Sequence, residues 1–166
     1  MTHLKYHNEF GTLINDTLKR HNFYRQKHNV PALRINSKLN AICQDWADKM
    51  VKQNKASHRF NNEYGENIYT ILSILSTNKV TELGVKAVDS WYSEIEFFDF
   101  QGTNTEMDAS TKAFHFTQLI WKGSRELGVG VSKCSKSGQI YLVCNYNPRG
   151  NFRSQFKENV LPPHEL

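Results

Sequence analysis

Cysteine is scarce in this sequence: Cys43, Cys134 and Cys144 are the only three in 166 residues. An odd and sparse set does not build the disulfide framework of a small secreted domain. Long apolar runs are missing too. None approaches the roughly 18 residues that a membrane-spanning helix requires, which excludes such a span. The opening stretch, Met1-Thr-His-Leu-Lys-Tyr-His-Asn-Glu9, holds no apolar core of the signal-peptide kind, so no leader is expected in the sequence as written. Thr2 stands where N-myristoylation needs glycine, so that anchor is not expected either. Catalytic signatures are absent in turn: there is no His-Glu-x-x-His helix, no Gly-x-Ser-x-Gly elbow and no phosphate loop. No internal repeat, linker or low-complexity stretch interrupts the chain.

What is present fits one domain over residues 1–166, with a core from about 10 to 163. A chain of this length buries roughly two-thirds of its unfolded surface. Phe 10, Tyr 7 and Trp 3 supply more ring surface than a minimal core needs. The formal net charge of +5 suits an anionic partner such as acidic lipid, and less readily nucleic acid. The basic residues are scattered, however, and the densest group, Lys19, Arg20, Arg25 and Lys27, reads first as a solvated helix face.

Hydrophobic spacing organises the elements. Residues 10–28 predict a helix, because Phe10, Leu13, Ile14, Thr17, Leu18, His21 and Tyr24 recur at intervals of three and four, and Pro31 stops it. A second helix begins after Ser37, read as its N-cap, with Leu39, Ile42, Cys43, Trp46, Ala47 and Met50 as its stripe. Cys43 on that stripe reads as a packed small hydrophobe rather than a reactive thiol. Residues 53–62 turn polar and contain His58; Gly65-Glu66-Asn67 follows, with Glu66 a possible turn residue. The apolar run 68–75 fits either a strand or a short buried helix. Residues 81–97 predict a third helix with Val85, Val88, Trp91, Tyr92 and Ile95 inward, and Glu94 bordering that face. Residues 101–111 read as a loop, and a short fourth helix starts near Lys112 and carries His115. Leu127-Gly-Val-Gly-Val-Ser-Lys-Cys134 and Gln139-Ile-Tyr-Leu-Val-Cys-Asn-Tyr-Asn147 alternate with period two around a turn at 135–138, which predicts a hairpin. The tail, 151–166, reads as irregular. Strands arriving late in a mostly helical chain predict an α+β fold with a small sheet covered by helices.

Four residues stand out for chemistry: His58, Glu66, Glu94 and His115. Two imidazoles with carboxylates can hold a divalent metal with open positions, or form a neutral hydrogen-bonded cluster that bridges helices to sheet. Spacing alone does not choose between these.

Several stretches together resemble the CAP superfamily of cysteine-rich secretory proteins, insect venom antigens and plant pathogenesis-related proteins. They are Gly65-Glu66-Asn67; Trp91-Tyr-Ser-Glu94-Ile; His115-Phe-Thr-Gln-Leu-Ile-Trp121-Lys; Leu127-Gly-Val-Gly; and Tyr141-Leu-Val-Cys-Asn-Tyr-Asn-Pro148-x-Gly-Asn151. Their order is that of the family, and the resemblance runs from about residue 21 to 163. His21-Asn22-x-Tyr24-Arg25-Gln26-Lys27-His28 and Glu158-Asn-Val-Leu-Pro-Pro163 are most similar to the family's Golgi-associated type. The resemblance implies a three-layer α–β–α sandwich with a small, mainly antiparallel central sheet. It implies a cleft whose two His and two Glu match His58, Glu66, Glu94 and His115. It further implies binding of sterol, fatty acid or phospholipid, and self-association as a homodimer.

Secreted members carry a cysteine where Val129 stands, bonded to the counterpart of Cys144. If Ser137-Gly138 were a two-residue turn, residue 134 would pair with 141 and 144 with 131. Cys134 would then lie on the order of 10 Å from Cys144, beyond the roughly 7 Å that a disulfide spans. Three free thiols are therefore expected, and with them a reducing compartment: cytoplasmic or peripheral on Golgi-type membranes, with an extracellular location as the alternative.

These readings favour a non-enzymatic binding protein. His58 and His115 would ligate zinc or another divalent cation, Glu66 and Glu94 would support them, and the basic aromatic surface would meet lipid or acidic membrane. The alternative is a metal-assisted hydrolase or peptidase with Glu66 or Glu94 as base. It lacks a third protein ligand and an identifiable oxyanion donor.

Overall fold

The computed structural model describes residues 2–72, 80–101 and 112–164. In chain order its elements are α1 (Thr2–Lys27), β1 (Arg34–Ile35), α2 (Ser37–Gln53), β2 (Gly65–Leu72), α3 (Leu83–Ser93), α4 (Phe114–Ile120), β3 (Glu126–Lys133), β4 (Gln139–Asn147) and the single turn α5 (Phe156–Asn159). Short 3-10 turns, Val80–Glu82 and Glu94–Phe97, flank α3.

The sheet has the order β1-β3-β4-β2. β4 pairs antiparallel with both β2 and β3, while the two-residue β1 lies parallel to β3, so the sheet is mixed at one edge. Ile140 to Tyr146 are all buried, as expected of a central strand covered on both faces. Ile140, Leu142, Cys144 and Tyr146 face a core with Leu13 of α1, Leu83, Ala87, Val88 and Trp91 of α3, and Phe116, Leu119 and Ile120 of α4. Tyr141 and Val143 face Cys43, Ala47 and Met50 of α2. The result is the three-layer α–β–α arrangement that the resemblance implied.

Glycine sets how close α2 comes. A Cβ at Gly128 would overlap Leu39, and one at Gly130 would overlap the backbone of Cys43 and Gln44. That approach lets α2 side chains finish the edge of β3 beyond the end of β1. Asn40 Oδ1 accepts from Val129 N at 2.9 Å, and Gln44 bonds both Val131 N (3.2 Å) and Val131 O (2.9 Å). The strand edge is thereby closed to further pairing.

Several sequence expectations shift. α1 begins at Thr2, because residues 2–9 contain neither glycine nor proline although the apolar repeat starts only at Phe10. The N-cap of α2 is Asn36, not Ser37: its backbone is extended and its Oδ1 accepts from Lys38 N and Leu39 N. The 68–75 run is a strand as far as Leu72 and starts earlier, at Gly65, so Glu66 is a strand residue rather than a turn residue. Residues 73–75 and, apart from Gln101, the 101–111 loop lie outside the described residues. The third helix ends at Ser93, where the backbone tightens into a 3-10 turn at Glu94.

The hairpin register also differs. Lys133 pairs with Ile140 and Val129 with Cys144, and Cys134 N donates to Gln139 O at 2.7 Å, so the connection is the four residues 135–138 and not two. Cys134 is thus five positions along the ladder from the partner of Cys144, on the order of 17 Å. Cys43, Cys134 and Cys144 are all unpaired, and Val129 occupies the position opposite Cys144.

The basic group on α1 is not one solvated face. Arg25 is fully buried and donates to four backbone carbonyls: Pro31, Leu119, Trp121 and Ser124. Desolvation pushes its guanidinium down to about 9. Arg20 pairs with Asp89 at 2.5 Å. Sequence spacing could not reveal this, because Arg25's partners lie as many as 99 positions away.

Candidate functional site

Glu66 is the second residue of β2, opposite Asn145 of β4. Its side chain is only 5% exposed, whereas that of His58, on the preceding loop, is 65% exposed. Glu66 Oε1 accepts from His58 Nδ1 at 2.8 Å and from Arg59 N at 3.1 Å; Oε2 accepts from Asn62 Nδ2 at 3.3 Å. The carboxylate therefore lies behind the imidazole and ties the loop to the strand. The hydrogen bond to Glu66 holds the His58 imidazole above its ordinary pKa, against the opposing effect of desolvation.

Glu94 does the same for His115. Its Oε1 accepts from His115 Nδ1 at 2.7 Å, while Oε2 accepts from the backbone N–H of His115 (3.0 Å) and Phe116 (3.2 Å). Ala113, at the N-cap of α4, has no side chain that could bond those amides. Glu94 supplies the cap from the end of α3, where a negative charge suits the first turn of a helix. Again the carboxylate is the deeper partner: its side chain is 20% exposed, against 36% for His115. The Trp91 ring lies nearly parallel to His115, with centroids 6.3 Å apart and planes 15° apart.

Carboxylates accept at both Nδ1 atoms, so Nδ1 carries the proton in each neutral ring and Nε2 offers a lone pair. This is how outer carboxylates orient imidazoles toward a metal. All four residues chosen from the sequence are present as two His–Glu pairs. Asn67 joins the pairs: it neighbours Glu66 in β2, and its Nδ2 donates to the backbone O of His115 at 3.0 Å. Asn62, Asn67 and Trp91 were not chosen from the sequence as functional, although Asn67 and Trp91 lie inside motifs that carried the resemblance. Among the described residues, no group of three or more His, Cys, Asp or Glu side chains is arranged to hold a metal ion.

Comparisons with known proteins converge. The model of the cysteine-rich secretory protein family, CAP, matches residues 18–146. The human Golgi-associated plant pathogenesis-related protein 1 is 35% identical over 156 residues, covering 90% of this chain and 92% of that protein. Repressed by EFG1 protein 1 of Candida albicans is 34% identical over 157 residues, but this chain spans only 53% of its length. Among solved structures, NaASP2 with Zn2+ superposes with a TM-score of 0.72 at 20% identity, covering 93% of this chain and 87% of that one.

Proposed function

The chain belongs to the cysteine-rich secretory protein (CAP) family, and on that premise we propose that it is a non-enzymatic binding protein whose two supported imidazoles share one divalent cation. A single observation carries this reading. Both His58 and His115 are held at Nδ1 by a deeper carboxylate, at 2.8 and 2.7 Å, which frees Nε2 on the more exposed side. Neutral imidazole suits zinc, copper or nickel better than magnesium or calcium. Two protein ligands leave the remaining coordination positions to water or to a bound molecule.

The ligand surface proposed around this centre is lipid or acidic membrane. The net charge of +5 supports it, as do two exposed rings beside the pairs: Phe60, 89% exposed and two residues after His58, and Phe97, 53% exposed and three after Glu94. The compartment proposed is a reducing one, cytoplasmic or on Golgi-type membrane, in keeping with three unpaired thiols. Among the described residues no helix is long and apolar enough to cross a membrane. The hydrolase alternative has no comparable support. Each carboxylate already accepts three hydrogen bonds, and at each pair one of these is its own imidazole.

Calorimetry with ZnCl2 tests the proposal. The wild-type chain is expected to give saturable heat, and a His58→Ala/His115→Ala variant to give none. Absence of heat from the wild type would leave the pairs with a purely structural role.

A further inference from the structure

One buried polar chain runs from α1 to the backbone of His115. His21 is fully buried. Its Nδ1 lies 2.8 Å from the carbonyl of Thr17, which can only accept, so Nδ1 carries the ring proton. Nε2 is then an acceptor and receives the hydroxyl proton of Tyr146 across 2.8 Å. The Tyr146 oxygen accepts in turn from Asn67 Nδ2 at 3.1 Å, and the second hydrogen of that amide goes to the backbone O of His115 at 3.0 Å. Tyr146 is 0% exposed and Asn67 1%, so water does not compete for these bonds. Every proton in the chain has one direction. The other tautomer of His21 would set its Nδ1 lone pair against the carbonyl of Thr17. Trp91 gives a second tie: its ring meets His21 edge-on, with centroids 6.1 Å apart, and stacks on His115.

We infer that His21, Tyr146 and Asn67 are positioning residues for His115, fixing the first turn of α4 against β2 and so the direction in which Nε2 points. Glu94 holds the ring and the first amides of α4 from the α3 side; the chain from His21 holds the His115 carbonyl from the β2 side. Burial keeps His21 neutral, with its pKa lowered to about 4, which is the state the chain requires. His58 draws on a different set, Glu66 with Arg59 N and Asn62, and serves as the internal control. The functional consequence rests on the metal reading proposed above; the geometry does not.

Nitrogen-15 NMR of the wild-type chain at neutral pH reads the tautomer of His21 directly. The Nδ1–H form is expected, and the Nε2–H form would overturn the inference. Tyr146→Phe and Asn67→Ser then break the chain at separate links. Each folded variant is expected to shift the His115 Nδ1–H and backbone amide resonances while leaving the His58 ring unchanged. Zn2+ binding is expected to weaken about tenfold, the lower end of what loss of an outer partner costs a metal site. Folded variants with wild-type His115 resonances would overturn the assignment. If the wild type takes up no Zn2+, the metal reading fails by itself, and the His115 resonances still decide the positioning role. If neither variant folds, the wild-type tautomer decides it.

Discussion

At Cys134 the thiol begins the β3–β4 turn and borders a cavity of about 420 Å3 lined also by Lys52, Lys133 and Lys136. Hydrogen bonds from the Ser137 hydroxyl and then from the backbone N–H groups of Ser137 and Lys136 favour its thiolate and hold its pKa below the ordinary value. Burial pushes Cys43 up to about 12 and Cys144 well above the usual thiol range. Iodoacetamide followed by peptide mass spectrometry is expected to modify Cys134 first, with Cys43 and Cys144 labelled only on unfolding; equal rates at the three would contradict this. His21 carries a second residue-scale expectation. An imidazole in the unfolded chain takes up its proton near pH 6.5, whereas folded His21 waits until about 4. The stability this contributes is present above 6.5 and lost as pH falls from 6.5 toward 4, on the order of 3 kcal/mol. His28, lowered by burial, acts in the same direction. His58, raised by Glu66, acts in the opposite sense: its contribution is present below 6.5 and lost as pH rises through its raised value. Urea unfolding across the acid range is expected to show a net loss of stability below about pH 6, since the fully buried imidazole outweighs the exposed one. A flat profile would contradict the neutral His21.

α4 depends on a cap from outside itself. Replacing Glu94 by alanine leaves the amides of His115 and Phe116 without their acceptor and is expected to cost about 1–2 kcal/mol in urea unfolding. No change would mean that the cap is not used. Two glycines separate close approach from mere permissiveness. Gly130→Ala pushes α2 off the sheet and is expected to cost about 1–3 kcal/mol. Gly11, in α1 with nothing within 4 Å of a Cβ, is expected to gain about 0.5–1 kcal/mol on replacement by alanine. The helices and the hairpin were legible in the sequence because their apolar spacing is local. Glu66 was legible as a residue of interest but not as a strand residue, since Gly65 and Asn67 beside it are turn formers by composition. The hairpin register differs by two from that of a Ser137-Gly138 turn because the turn is closed by Gly138 N to Cys134 O, a wider loop. Neither the burial of Arg25 nor the chain from His21 was legible, because each depends on groups brought from distant parts of the sequence.

For the molecule as a whole, the α–β–α layering sets α2 on one face of the sheet and α1, α3 and α4 on the other. Both His–Glu pairs connect to the Gly65 end of β2 and the Tyr146 end of β4, opposite the Cys134 turn. The family motifs pointed to His58, Glu66, Glu94 and His115 residue by residue, and the structure pairs them as His58–Glu66 and His115–Glu94. They did not convey that the two carboxylates lie deeper than their imidazoles, which is the feature the proposed binding role rests on. The charge of +5 belongs to the same scale. Co-sedimentation is expected to be stronger with acidic than with neutral vesicles and to weaken as salt rises; equal binding to both would remove the electrostatic part of the proposal. The most direct measurement is anomalous diffraction from a zinc-soaked crystal. A shared cation is expected to give one peak about 2.1 Å from Nε2 of both His58 and His115, with Glu66 and Glu94 still on the two Nδ1 atoms. No peak there, or a peak held by other side chains, would contradict it.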